Sequence, residues 1–122
     1  MTKILLDSNM VIGLLNGSLS GEQIAADHVF VCAMTVMEVY ALSGISVIEE
    51  QKIKTFLSSL NIVKIDGVIA SRAGLLARTR ARIGKADLLI AATALELGIS
   101  LITKNMKDFK RIPELDVRST LA

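Results

Sequence analysis

One cysteine, one histidine, one proline and no tryptophan occur in this 122-residue chain, and these scarcities each remove a class of answer. A single thiol cannot build a disulfide framework. Cys32 sits in the apolar run Val29-Phe30-Val31-Cys32-Ala33, where a buried, inert thiol is expected rather than a nucleophile or metal ligand. His28, alone in a polar segment, rules out zinc centres and general-base arrangements built on several histidines. Three phenylalanines and one tyrosine offer no aromatic platform for stacking unpaired bases, so any nucleic-acid ligand must be chosen by shape. A P-loop and a Gly-x-Ser-x-Gly elbow are both missing. No apolar run approaches the roughly 18 residues of a membrane span. Asp7 ends the run Ile4-Leu5-Leu6 too early for a signal-peptide core, so the expected location is cytoplasmic, with no membrane partner. Lys and Arg number 14 against 12 for Asp and Glu, a balance that permits nucleic-acid binding without demanding it.

What the chain does have is apolar bulk. Hydrophobic residues make up 52% and charged residues 21%, enough to bury a sizeable core without covalent staples. Residues 1–122 are expected to form a single domain, since no linker, repeat or low-complexity stretch interrupts them. Residues 3–6 read as a buried strand that stops at Asp7-Ser8-Asn9, where helix-capping residues begin. A helix is expected to follow to about Leu15. After the turn signal Asn16-Gly17 and a short polar helix candidate, Val29–Cys32 reads as a second strand. Thr35 and Glu38 have capping-box spacing, predicting a helix that opens there and runs toward Gly44. Residues 47–60 and 67–83 carry helical periodicity around a strand candidate at 61–65. Residues 86–97 are apolar on nearly every face and end at Gly98, as a helix buried between a sheet and other helices would. Strands at 99–102 and around 115–117 complete the pattern. Short apolar strands alternating with helices imply an α/β fold: a three-layer sandwich with a small, mostly parallel central sheet.

In parallel sheets functional groups gather at the carboxyl ends of the strands. Asp7, Thr103 and Asn105 sit at such ends. Glu38 lies in a helix entered from a second strand end, and Asp87 opens the buried helix leading to the fourth strand. One topology can therefore bring them to a single rim. Crowded carboxylates stay ionised at neutral pH only when compensated. A hard divalent cation does this, and Mg²⁺ or Mn²⁺ can also activate a water for attack on a phosphodiester. Each residue has a local alternative: Asp7 as a helix cap, Glu38 as half of a capping box, and Asp87 as a charge favoured by its helix dipole. Arg80, Arg82, Lys85 and Lys104 could hold neighbouring phosphates, or could be solvated surface charges.

Four segments carry a likeness to a known family: Ile4-Leu5-Leu6-Asp7-Ser8-Asn9, Met34-Thr35-Val36-Met37-Glu38-Val39, Lys85-Ala86-Asp87-Leu88-Leu89-Ile90-Ala91-Ala92-Thr93-Ala94, and Leu101-Ile102-Thr103-Lys104-Asn105-Met106-Lys107-Asp108-Phe109. In order and spacing they resemble the PIN-domain family, and within it the VapC-type toxins of VapBC toxin-antitoxin pairs. The resemblance implies a PIN-like fold and a Mg²⁺- or Mn²⁺-dependent endoribonuclease that leaves 5′-phosphate and 3′-hydroxyl ends. It implies that Asp7, Glu38 and Asp87 are the catalytic, metal-binding acids, supported by Asn9 and Thr103; Thr35, at capping-box spacing from Glu38, is a further supporting candidate. It also implies structured RNA of the transfer or ribosomal class as substrate, a homodimer, and an antitoxin that covers the acids, with an Arg set against them. The apolar helices of residues 36–60 are candidate docking surfaces. The position that often holds a fourth acid is Asn105 here, an amide that can ligate a cation but adds no charge. Asp108, one helical turn on, is the candidate to supply it.

Two other readings compete. One is a PIN-like module weakened at Asn105 that only binds RNA or protein. The other is a receiver-type signalling domain with Lys104 after a late strand. The latter needs a phosphorylatable Asp at the end of a middle strand, for which Asp66 is the only candidate.

Overall fold

The computed structural model describes residues 1–120. Its centre is β1 (Lys3–Leu6), a strand because three successive apolar side chains are buried on both of its faces. The other strands are β2 (His28–Cys32), β3 (Asn61–Val63), β4 (Ser100–Ile102) and β5 (Val117–Arg118), all parallel in the order β3-β2-β1-β4-β5. The helices are α1 (Ser8–Leu15), α2 (Ala33–Tyr40), α3 (Val47–Ser58), α4 (Gly67–Ala77), α5 (Lys85–Leu97) and the single turn α6 (Met106–Phe109). The polar helix expected before β2 is a short 3-10 turn, Gly21–Ile24.

Alternation along the strands separates two cores. Ile4, Leu6, Val31 and Ile102 face α1, α2 and α3, where they meet Met10, Val11, Val39, Ile53 and Leu57. Leu5, Cys32 and Leu101 face the opposite way, against Ile69 and Leu76 of α4, Leu88 and Ala91 of α5, and Phe109 of α6. This is the expected three-layer α/β sandwich. Each fully buried Leu or Ile contributes about 1.5–3 kcal/mol of transfer free energy. Cys32 is buried, with its sulfur within 3.4 Å of the Thr93 hydroxyl, as its apolar setting predicted.

Several boundaries differ from the sequence reading. α2 starts at Ala33 rather than at Thr35 and has no side-chain cap on Cys32. Thr35 therefore lies inside the helix, fully buried, and the expected Thr35–Glu38 capping box does not form. The real capping box is at the start of α3, where Ser46 and Glu49 bond reciprocally. α2 stops at Tyr40 and α4 at Ala77, each several residues short of the expected span.

α5 ends as expected, with Gly98 at φ 66° closing it in the left-handed region. A Cβ there would touch nothing within 4 Å, so the penalty for a side chain is conformational alone. Gly98→Ala should destabilise the chain by about 1–2 kcal/mol, read as a lower urea midpoint at unchanged slope.

Candidate active site

The chain runs outward from β1 through β2 to β3, then returns past β1 to β4 and β5. The direction of winding thus reverses between β1 and β4, and parallel sheets open a crevice at such a point, at the carboxyl ends of the strands. Asp7 and Thr103 are the first residues beyond those two ends. Asp7 caps α1 through Oδ1, which accepts from the Met10 backbone N–H at 2.9 Å. Its Oδ2 accepts a short hydrogen bond from the Thr103 hydroxyl. Thr103 Oγ1 in turn accepts from the Asn105 N–H at 2.9 Å. One carboxylate oxygen of Asp7 thus serves as the helix cap while the other meets Thr103 at the neighbouring strand end.

Glu38 reaches the rim from the second turn of α2. Its Oε1 accepts from the Ser8 hydroxyl at 2.5 Å, and Ser8 Oγ lies 3.1 Å from the buried Thr35 hydroxyl. Ser8, the first residue of α1, is the component that sequence reasoning missed. The sequence places it only within the capping stretch Asp7-Ser8-Asn9, and the available signal is a small hydroxyl directly after Asp7. Thr35 is linked to Glu38 through Ser8 rather than as a cap. Asn9 is exposed and bonds none of these groups.

Asp87, in the first turn of α5, completes the acid group. Burial raises its pKa, and the charges of Asp7, Glu38 and Asp108 raise it further. Burial likewise raises that of Asp7, which is 3% exposed, against the opposing effect of its bonds from Thr103 and Met10. Asp108 is thus near enough for Asp87 to feel its charge, and the Asn105 amide holds it by donating to Oδ2 at 3.1 Å. The amide position that lacks a charge is coupled to an acid one turn away.

No basic side chain among the described residues forms an ion pair with these acids. Among the described residues the ion pairs are Arg72–Glu96, Arg80–Glu114 and Arg118–Asp116, all elsewhere. Nor, among the described residues, do any three His, Cys, Asp or Glu side chains stand together as a ready-made metal cluster. Asp7, Glu38 and Asp87 repel one another, and they are the residues that could hold a hard divalent cation if one bound between them.

Of the candidate phosphate contacts, Arg80 is already committed: its guanidinium donates to the Arg111 carbonyl, the Thr79 hydroxyl and Glu114. That corrects its assignment as a free phosphate ligand. Arg82, Lys85 and Lys104 are exposed, the lysines directly beside the segments that carry Asp87 and Thr103. Asp66 caps α4 beyond the edge strand β3, accepting from the Ile69 N–H at 2.9 Å, so the central phospho-acceptor that a receiver domain needs is missing from the rim. A hollow of about 1060 Å³ along α4, lined by Val68, Arg72, Leu75 and Glu96 among others, includes none of the site acids.

Residues 4–115 match the PIN domain. Ribonuclease VapC of Rickettsia bellii and Ribonuclease VapC1 of Rickettsia felis are each 58% identical to this chain over 40 residues. That stretch is 33% of this chain and 30% of either relative, so the match spans under a third of their length. Among solved structures, the fold superposes on a chain from VapBC2 of Rickettsia felis bound to a DNA fragment from their promoter, with TM-score 0.82 and 26% identity, covering 96% of this chain and 98% of that one. It also superposes on a chain of a toxin-antitoxin complex from Klebsiella pneumoniae, with TM-score 0.77 and 30% identity, covering 95% and 96%.

Proposed function

The chain belongs to the PIN domain family, and on that premise we propose that it is a Mg²⁺- or Mn²⁺-dependent ribonuclease, the toxin of a toxin-antitoxin pair acting in the cytoplasm on structured RNA. The observation that carries the proposal is the uncompensated acid group at the switch between β1 and β4, where Asp87 feels Asp7, Glu38 and Asp108 together.

A divalent ion held by Asp7, Glu38 and Asp87 would supply Lewis-acid charge and lower the pKa of an attacking water. The residues themselves do the rest. Thr103 and the Met10 N–H fix both oxygens of Asp7, leaving its orientation no freedom. Ser8 donates to Glu38 Oε1 and leaves Oε2 to accept a hydrogen bond from a water. Asn105 aims Asp108 toward Asp87, so its charge is kept within the site. That coupling argues against the reading of a module weakened by the amide.

An antitoxin is the partner we assign to the apolar strip formed by Met37, Tyr40, Val47 and Ile48, which are 60%, 41%, 76% and 71% exposed. The similar solved chains come from toxin-antitoxin complexes, which supports this assignment, and the strip begins on α2, the helix that carries Glu38. A second copy of the chain is the partner we assign to α4, where Val68 and Leu75 remain exposed. No described helix is long and apolar enough to cross a membrane.

The test is cleavage of a structured-RNA pool by purified chain in Mg²⁺, Mn²⁺ or EDTA, with Asp87→Asn and Ser8→Ala alongside. Metal-dependent cutting is expected, abolished in Asp87→Asn. In Ser8→Ala it should fall about 10–100-fold, the usual consequence of removing a group that orients a ligand. An inert native chain in both metals would defeat the enzymatic reading.

A further inference from the structure

Arg82 and Arg111 line a second cleft, of about 500 Å³, together with Thr79, Arg80, Ala81 and Ile83. We infer that this cleft is a phosphate-binding subsite, with Arg82 and Arg111 gripping the RNA backbone a few nucleotides from the bond that is cut. The inference rests on the ribonuclease reading and adds to it the residues that hold the substrate.

Each wall of the cleft is continuous with a segment that carries a site acid. Arg82 lies five residues ahead of Asp87, across Gly84, the N-cap of α5. Arg111 lies three residues after Asp108, and its N–H donates to the Asp108 carbonyl at 3.2 Å. Five residues of chain reach at most about 18 Å, and successive nucleotides of a stacked strand rise about 3.4 Å. A phosphate a few nucleotides from one held at the acids is therefore within reach of the cleft.

The two arginines are also free to bind. Both are exposed, and neither forms an ion pair or side-chain hydrogen bond among the described residues. Arg80 differs: it ties the loop after α4 to the Arg111 carbonyl at 3.1 Å and to Glu114 at 3.3 Å. It holds the two walls at a fixed separation while its own charge is matched. Two unmatched guanidiniums on a braced frame suit the bidentate recognition of phosphate oxygens. They carry no base-reading geometry, so they position RNA without selecting its sequence.

The experiment measures binding of labelled transfer RNA to the full chain carrying Asp7→Asn, which blocks cleavage, over 50–300 mM salt in Mg²⁺. Adding Arg82→Gln and Arg111→Gln should weaken affinity tenfold or more and reduce the slope of log Kd against log salt by about two, one for each lost phosphate contact. Arg82→Lys with Arg111→Lys should restore most of that slope, which separates lost charge from a damaged fold. Lys3→Gln, at the opposite end of β1, should change neither quantity. In the cleaving background the glutamine pair should raise KM while kcat stays within twofold.

An unchanged slope in the glutamine pair, with binding intact, overturns the subsite. RNA binding with the two-arginine slope but no cleavage by the native chain overturns the nuclease reading and leaves the subsite standing. A native chain that neither binds nor cuts RNA overturns both.

Discussion

Asp7→Asn should cost the chain its activity and raise its melting temperature at the same time. Asp7 is 3% exposed, and its charge is disfavoured by burial and by Glu38. Asparagine keeps the Oδ1 acceptor that caps α1 through the Met10 N–H, and its amide can donate to the Thr103 hydroxyl. The fold loses a repelled charge and keeps its cap. Without divalent ions a gain of about 1 kcal/mol is expected, or roughly 3–5 °C for a domain of this size. Cleavage should fall at least about 10²–10³-fold, as when a group that stabilises developing charge is removed.

The pH dependence follows from the same shift. Because the native pKa of Asp7 is raised, the folded state holds its proton to higher pH than the unfolded state. The destabilisation is absent below the ordinary carboxylate range and complete above the raised native value. In EDTA the native chain should therefore lose stability as pH rises through that interval, while Asp7→Asn should lose less. Added Mn²⁺ should reverse the loss in the native chain only. A variant that cuts within tenfold of native, or melts lower in EDTA, would sink this account of Asp7.

Truncating Phe109 to alanine should be the most damaging single change to stability. Phe109 is the largest of the fully buried side chains, and it packs beside Leu5, Leu101, Ile112 and Leu115 from a helix only one turn long. So short a helix has no stability of its own, and the ring is its anchor. A loss of about 3–5 kcal/mol is expected, or about 10–20 °C in melting temperature, a large part of what a domain of this size possesses. Phe109→Leu should recover more than half. Asp108 precedes the ring directly, so the alanine variant should also bind Mn²⁺ more weakly than native below its melting point. A change under about 1 kcal/mol would show that α6 is held by something else.

Much of this arrangement was legible in the chain, for local reasons. Three apolar residues followed by an acid mark the end of β1, and the Asp7 cap needs only a partner three residues on. Gly98 after an apolar stretch marks the end of α5 through one backbone angle. What was not legible depends on distant pairing. Thr35 and Glu38 have the spacing of a capping box, yet α2 begins two residues earlier because β2 delivers the chain there. The true partner of Glu38 is Ser8, 30 residues away. Arg80 and Arg82 are indistinguishable by local pattern. Only the fold brings Glu114 to one of them, across 34 residues.

The central position of β1 has a dynamic consequence. Leu5 and Leu6 are bonded into a parallel ladder on each side, with β2 and with β4, and their side chains seal both cores. Fraying begins where few contacts hold, at the two-residue edge strand β5. A cellular protease that samples such openings would meet Val117 and Arg118 long before it met Asp7. The edge of the sheet would open first, while the acid at the end of β1 stayed in place until the whole domain unfolded.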